Sequence, residues 1–108
     1  MNSIRHAALL IAASLMALPL FAHADDPIVG RWRWFNSEIK VFRSDGTAVG
    51  NGFHGTWKCV SRATPPTYEV NWSDRWVDKV RLVKGGKELK GKNKQGGAVS
   101  AYRLPDKS

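Results

Sequence analysis

The diglycine Gly85-Gly86, set between two runs of alternating residues, is the feature that most narrows what this chain can become. Upstream, alternation places Trp76, Asp78, Val80 and Leu82 on one face and Val77, Lys79, Arg81 and Val83 on the other. Two glycines suit a two-residue hairpin turn, whose central positions need positive φ. That turn sets a register: Leu82 opposite Leu89, Val80 opposite Gly91 and Asp78 opposite Asn93 on the inner face, with Arg81 opposite Lys90 and Lys79 opposite Lys92 outside. Like charges directly across a strand pair repel. The outer face therefore reads as an anion-binding strip of Lys79, Arg81, Lys90, Lys92 and Lys94, with Lys84 at its edge, or as a solvated face that discourages aggregation. In the first case the lysines act as point charges and Arg81 grips phosphate or carboxylate with two N–H groups.

The rest of the chain has the same texture. Turn signals recur at Asn36-Ser37, Asp45-Gly46, Gly50-Asn51-Gly52, Ala63 to Pro66, Ser73-Asp74, Gly85-Gly86 and Gln95-Gly96-Gly97, and no long segment between them keeps a helical period. Strands are predicted over 30–35, 38–43, 47–51, 55–61, 67–72, 76–83, 87–93 and 98–104. The fold class is therefore all-β, a small antiparallel up-and-down meander. Eight such strands close most naturally into a barrel, because closure removes exposed edges; a two-sheet sandwich or half-open barrel is the alternative. One inconsistency stands in the second strand, where Ile39 and Val41 are out of phase with Phe42, and a bulge or a longer turn is expected to resolve it.

Ile28-Val29-Gly30-Arg31-Trp32 resembles the Gly-x-Trp opening of the first strand in lipocalin-like and avidin-like barrels. The resemblance implies a meander barrel in which the glycine permits close packing and the indole closes one end. This chain is shorter than those barrels, and Trp32, Trp34, Trp57, Trp72, Trp76 and Phe42 all compete for the interior. A filled interior with binding at the surface or rim is expected, rather than a deep apolar pocket.

The opening residues carry Arg5 and His6, an apolar run from Ala7 to Phe21, and Ala22-His23-Ala24, the small-x-small pattern of a signal peptidase site. Residues 1–24 are read as a secretory signal peptide and 25–108 as a single small β domain, periplasmic or secreted, with no transmembrane segment after cleavage and monomeric. Cleavage removes Arg5 and no acid, leaving 16 basic against 9 acidic residues, a balance of +7. Such a charge favours anionic surfaces, and the partners expected are an anionic polysaccharide, a lipid headgroup or an envelope protein. Nucleic acid is disfavoured by the leader and by the lack of exposed aromatics among the cations.

Trp72 and Trp76 bracket the turn Ser73-Asp74-Arg75, where an indole at a barrel rim would stack on a sugar ring or peptide side chain. Asp78, with the inward phase and Asn93 opposite, is read either as half of an ion pair with Arg33, Arg43 or Arg103, or as part of a polar rim site with Trp72, Trp76 and Asn93. A general acid and base pair of Glu38 and Asp78 is a third reading, dependent on their separation. His54 and Cys59 are too few for a metal site and sit on opposite faces of an extended strand, so neither a metal nor a cofactor is expected; Cys59 is expected to be inaccessible. The function expected is a non-enzymatic binding module that meets an anionic surface or glycan through the hairpin of residues 76–94. The alternatives are an inhibitor or immunity-type partner that inserts a loop around Gly50 to Gly55, carrying Phe53 and His54, and a small envelope glycan hydrolase.

Overall fold

The structure is a computed structural model that describes residues 26–106; the leader expected over 1–24 lies outside the described residues. Eight strands follow one another: β1 (Gly30–Trp34), β2 (Ile39–Phe42), β3 (Thr47–Gly50), β4 (Phe53–Ser61), β5 (Thr67–Trp72), β6 (Val77–Val83), β7 (Glu88–Asn93) and β8 (Ala98–Arg103). Each pairs antiparallel with the next, and β8 returns to β1 through Trp32–Arg103, Arg33–Tyr102 and Trp34–Ala101, so the sheet closes as a barrel. Among the described residues no helix is long and apolar enough to cross a membrane.

Alternation decides what fills the interior. Trp32 and Trp34 of β1, Phe42 of β2, Trp57 of β4, Tyr68, Val70 and Trp72 of β5, Val80 and Leu82 of β6, Leu89 of β7 and Val99 of β8 are all buried. Small residues on the same face, such as Ala48 and Ala101, make room for the indoles. The register of β6 against β7 is the one the diglycine implies, including Asp78–Asn93, Lys79–Lys92 and Arg81–Lys90. The turn itself is wider than two residues: Lys84, Gly85 and Gly86 all have positive φ and Lys87 returns to the right-handed region. Widening the loop by one residue on each side leaves the pairing unchanged.

No bulge is needed in β2, and the turn that follows is longer than Asp45-Gly46 alone, with Ser44, Asp45 and Gly46 between Arg43 and Thr47. Lys40 and Phe42 face inward, and Ile39 and Val41 face outward. The strand is regular because a lysine, rather than an isoleucine, occupies the inward place. The segment around Gly50 to Gly55, expected as a loop, is instead a two-residue turn of Asn51 (φ 46°) and Gly52 (φ 87°) closed by Gly50 and Phe53. Cys59 packs on the edge of the core and is half-buried rather than inaccessible, its thiol donating to the Ser61 carbonyl at 3.2 Å.

One end is plugged. Trp32 is fully buried there and its indole donates to the Ile28 carbonyl at 3.0 Å. The Arg103 guanidinium lies 4.3 Å from the Trp32 ring centre and donates to the carbonyls of Val29, Pro27 and Gly86. Gly30 makes this approach possible, since a Cβ there would lie 2.8 Å from an Arg103 nitrogen. Beside it the buried Asp26 accepts from the Tyr68 hydroxyl at 2.5 Å and from Arg62 at 3.2 Å.

The tightest backbone approach is at Gly91, where a Cβ would come 1.9 Å from the Lys79 carbonyl oxygen and 2.7 Å from Val80 Cα. Gly91→Ala is expected to force β6 and β7 apart and destabilise the barrel by about 3 kcal/mol or more, read as a lowered urea midpoint. An unchanged midpoint would contradict the strand spacing described here.

Candidate functional site

Four of the seven hairpin connections share one design. Three residues loop between a closing pair, and the third has positive φ: Ser37 (72°), Gly46 (89°), Arg75 (73°) and Gly96 (86°). The closing pairs are Trp34 with Glu38, Arg43 with Thr47, Trp72 with Trp76 and Asn93 with Gly97, each joined by a backbone hydrogen bond of 2.7–2.9 Å. Short polar side chains brace the turns: Asn36 accepts from the Glu38 N–H, Asp74 from the Trp76 N–H, and Asn93 from the N–H groups of Gln95 and Gly97. Three of these turns, with the Asn51-Gly52 turn, ring the end opposite the Trp32 plug.

Their closing residues line a cavity of about 260 Å³. Trp34, Trp72 and Trp76 contribute indoles, Phe35 and Phe53 form exposed lips, and Glu38, Lys40, Asp74, Asp78 and Asn93 supply the polar groups. Lys40 is buried, with its ammonium 3.0 Å from Glu38 Oε1, 4.4 Å from the Trp72 ring centre and 5.5 Å from that of Trp34. Two indole faces and one carboxylate thus replace the water this cation gives up. Its stem crosses Gly50, where a Cβ would lie 2.8 Å from Lys40 Cγ. Glu38 is committed on both oxygens, the second accepting from the Asn51 amide at 2.6 Å.

Asp78 is almost fully buried. Its Oδ2 accepts from the Trp72 indole N–H at 3.0 Å, while Oδ1 is buried without a hydrogen-bond partner. No arginine pairs with it: Arg103 belongs to the plugged end, and among the described residues neither Arg33 nor Arg43 forms a salt bridge. Burial pushes the Asp78 carboxyl above the usual aspartate range, and the Trp72 N–H, the Lys40 ammonium and the Trp76 indole pull it part of the way back.

Of the residues picked from sequence, Trp72, Trp76, Asp78 and Asn93 come together in this one cavity. Lys40, Trp34, Phe35 and Phe53 were missed as members. The phase of Phe42 carries the signal for Lys40, because an inward Phe42 requires an inward residue two positions earlier. A second, more open depression of about 510 Å³ over β3 and β4 includes His54, Asn71 and Ser73, and none of its lining residues is a buried charged group.

On the outer surface Lys79, Arg81, Lys90 and Lys92 are exposed together across β6 and β7. Among the described residues none of the four enters a salt bridge. Glu69 stands beside Lys79 in register, and its carboxylate is 3.8 Å from Lys58. Lys94 leaves the strip, its ammonium donating to the Arg75 carbonyl at the mouth at 3.0 Å.

No family model, curated protein or solved structure matches this chain. The barrel is compatible with the small β-barrels that its Gly-x-Trp opening resembles, and the likeness stops at that level.

Folding raises the Asp78 pKa above its ordinary value of 3.8, so the native state holds an extra proton between that value and the folded one. Stability from this group is fully present below about 3.9 and is lost as pH rises through the folded pKa. Asp78→Asn keeps an acceptor for Trp72 and removes the titration. The variant is therefore expected to gain on the parent in urea midpoint as pH rises from about 4 to neutrality. Parallel profiles would show that Asp78 carries no desolvation cost.

Proposed function

We propose that this protein is a secreted or periplasmic binding module, without catalytic chemistry of its own, that holds an anionic polysaccharide against the outer face of β6 and β7. The observation that carries the reading is the in-register pairing of Lys79 with Lys92 and Arg81 with Lys90, four exposed cations that enter no salt bridge among the described residues, with Glu69 beside Lys79 and Glu88 two residues from Lys90 at the edges of the strip. On a sheet these charges repeat about every 7 Å along a strand and about every 5 Å across strands, a spacing that a chain of sulfates, phosphates or carboxylates can follow. Repulsion within the lattice is relieved when such a polymer binds.

A lipocalin-like or avidin-like kinship belongs to the same reading. It rests on Gly30-Arg31-Trp32, with Trp32 closing one end, and on the meander order of the strands. The hydrolase alternative is less well supported: both Glu38 oxygens are tied, by Lys40 and by Asn51, so Glu38 is not free to serve as the acid or base of a pair with Asp78. The tight Asn51-Gly52 turn likewise offers no long loop for insertion into a partner's cleft.

Titration calorimetry with dextran sulfate and heparin tests the proposal. Affinity is expected to fall about 10- to 100-fold between about 50 and 200 mM salt, as the release of a few counterions implies. Changing Lys79, Arg81, Lys90 and Lys92 together to glutamate should abolish binding with the far-ultraviolet dichroism unchanged. Undiminished binding by that folded variant removes the proposal. Binding only to phosphatidylglycerol vesicles would move the ligand to a lipid headgroup, and stoichiometric capture of an envelope protein would favour the inhibitor reading.

A further inference from the structure

The open end of the barrel has a chemistry that the cationic face does not use. Its walls are flat and apolar, from Trp34, Trp72 and Trp76 with the exposed lips Phe35 and Phe53. Asp78 is part of the lining, and its Oδ1 is buried without a hydrogen-bond partner, the Trp76 indole standing near the carboxyl without hydrogen-bonding to it. A buried carboxyl oxygen left unpaired costs free energy that an incoming donor recovers. Both Glu38 oxygens, Asp74 Oδ1, Asn36 Oδ1 and Asn93 Oδ1 already accept hydrogen bonds, which leaves the Asn36 and Asn93 amide N–H groups and Oδ2 of the exposed Asp74 to serve a further partner.

Charge narrows the occupant. Lys40 already holds its ammonium over the Trp34 and Trp72 rings, so a second cation at those rings would sit against the first, while Trp76 and Phe53 keep their faces open. An anion would meet Glu38, Asp74 and Asp78 around the same opening. A neutral molecule with hydroxyl donors on one edge and a C–H face for the aromatic walls meets neither obstacle. The cavity, about 260 Å³, has room for a single small ring.

We propose that the open end binds one neutral pyranose unit, its C–H face packed against Trp76 and Phe53 and one hydroxyl donating to Asp78 Oδ1. The site is separate from the cationic face and stands whether or not that face binds a polyanion.

The test follows indole fluorescence and the indole N–H resonances of Trp72 and Trp76. The purified protein is titrated with glucose, galactose, mannose, N-acetylglucosamine and their β-1,4-linked dimers in about 0.5 M salt, which screens the outer cations. Sorbitol, an open-chain polyol, and arginine, a cation, are the controls. At least one pyranose should saturate with a Kd of about 1 mM, a value in keeping with one small ring, and move both indole resonances, while sorbitol and arginine do not. Trp76→Ala and Asp78→Asn should each weaken it about tenfold or more. Phe53→Ala, at an exposed lip where folding is not at stake, should weaken it about threefold. The proposal is overturned if no pyranose saturates below about 100 mM, if binding is unchanged in all three folded variants, or if arginine binds in preference to the sugars. The glutamate variant of the outer face should retain sugar binding, which separates failure of this site from failure of the other.

Discussion

A sheet of eight short strands has two edges until its last strand finds its first, and here one arginine side chain makes that junction secure. Arg103, at the end of β8, lies on the Trp32 ring and donates to carbonyls before β1 and in the β6–β7 turn. A planar guanidinium with several donors can stack and bridge at once, which a lysine ammonium cannot. Trp32, Ile28, Tyr68 and Asp26 complete the plug. With that end filled, the barrel interior opens at the other, and the four turns there decide the shape of its mouth.

The mouth is built from hairpin geometry as much as from the strands. A three-residue turn brings its closing pair face to face at the barrel rim, so the identity of two residues per turn becomes the lining of a site. In this chain those places are held by Trp34 and Glu38, by Trp72 and Trp76, and by Asn93. The Asn and Asp residues that brace the turns keep the indoles in place, and Asp78 fixes Trp72 from below. The rim is thus set in place by the fold's own hydrogen bonds.

Most of the architecture was legible in the sequence because alternation and turn chemistry agree over nearly the whole chain. The Asp78–Asn93 and Lys79–Lys92 pairings follow from the position of one diglycine, and they survive a turn wider than expected because the loop grows equally on both sides. The meeting of Trp72, Trp76, Asp78 and Asn93 was legible for the same reason. Lys40 was not. Its β2 neighbours Ile39 and Val41 are the better apolar residues, and only the aromatic cradle supplied by two other strands makes an inward lysine the favourable choice. That information is tertiary, and the one local signal, the phase of Phe42, stands against two more apolar neighbours. The expected arginine partner for Asp78 failed likewise, since arginines with plausible spacing in sequence lie at other places on the barrel.

The plug also gathers the two ends of the described chain: Asp26 packs beside Tyr68, and Leu104 and Pro105 hydrogen-bond to Arg31. Anything attached at either terminus, whether a purification tag, a neighbouring domain or a solid support, therefore departs from the side away from the aromatic rim. A link made at either end of the described chain does not cross the opening.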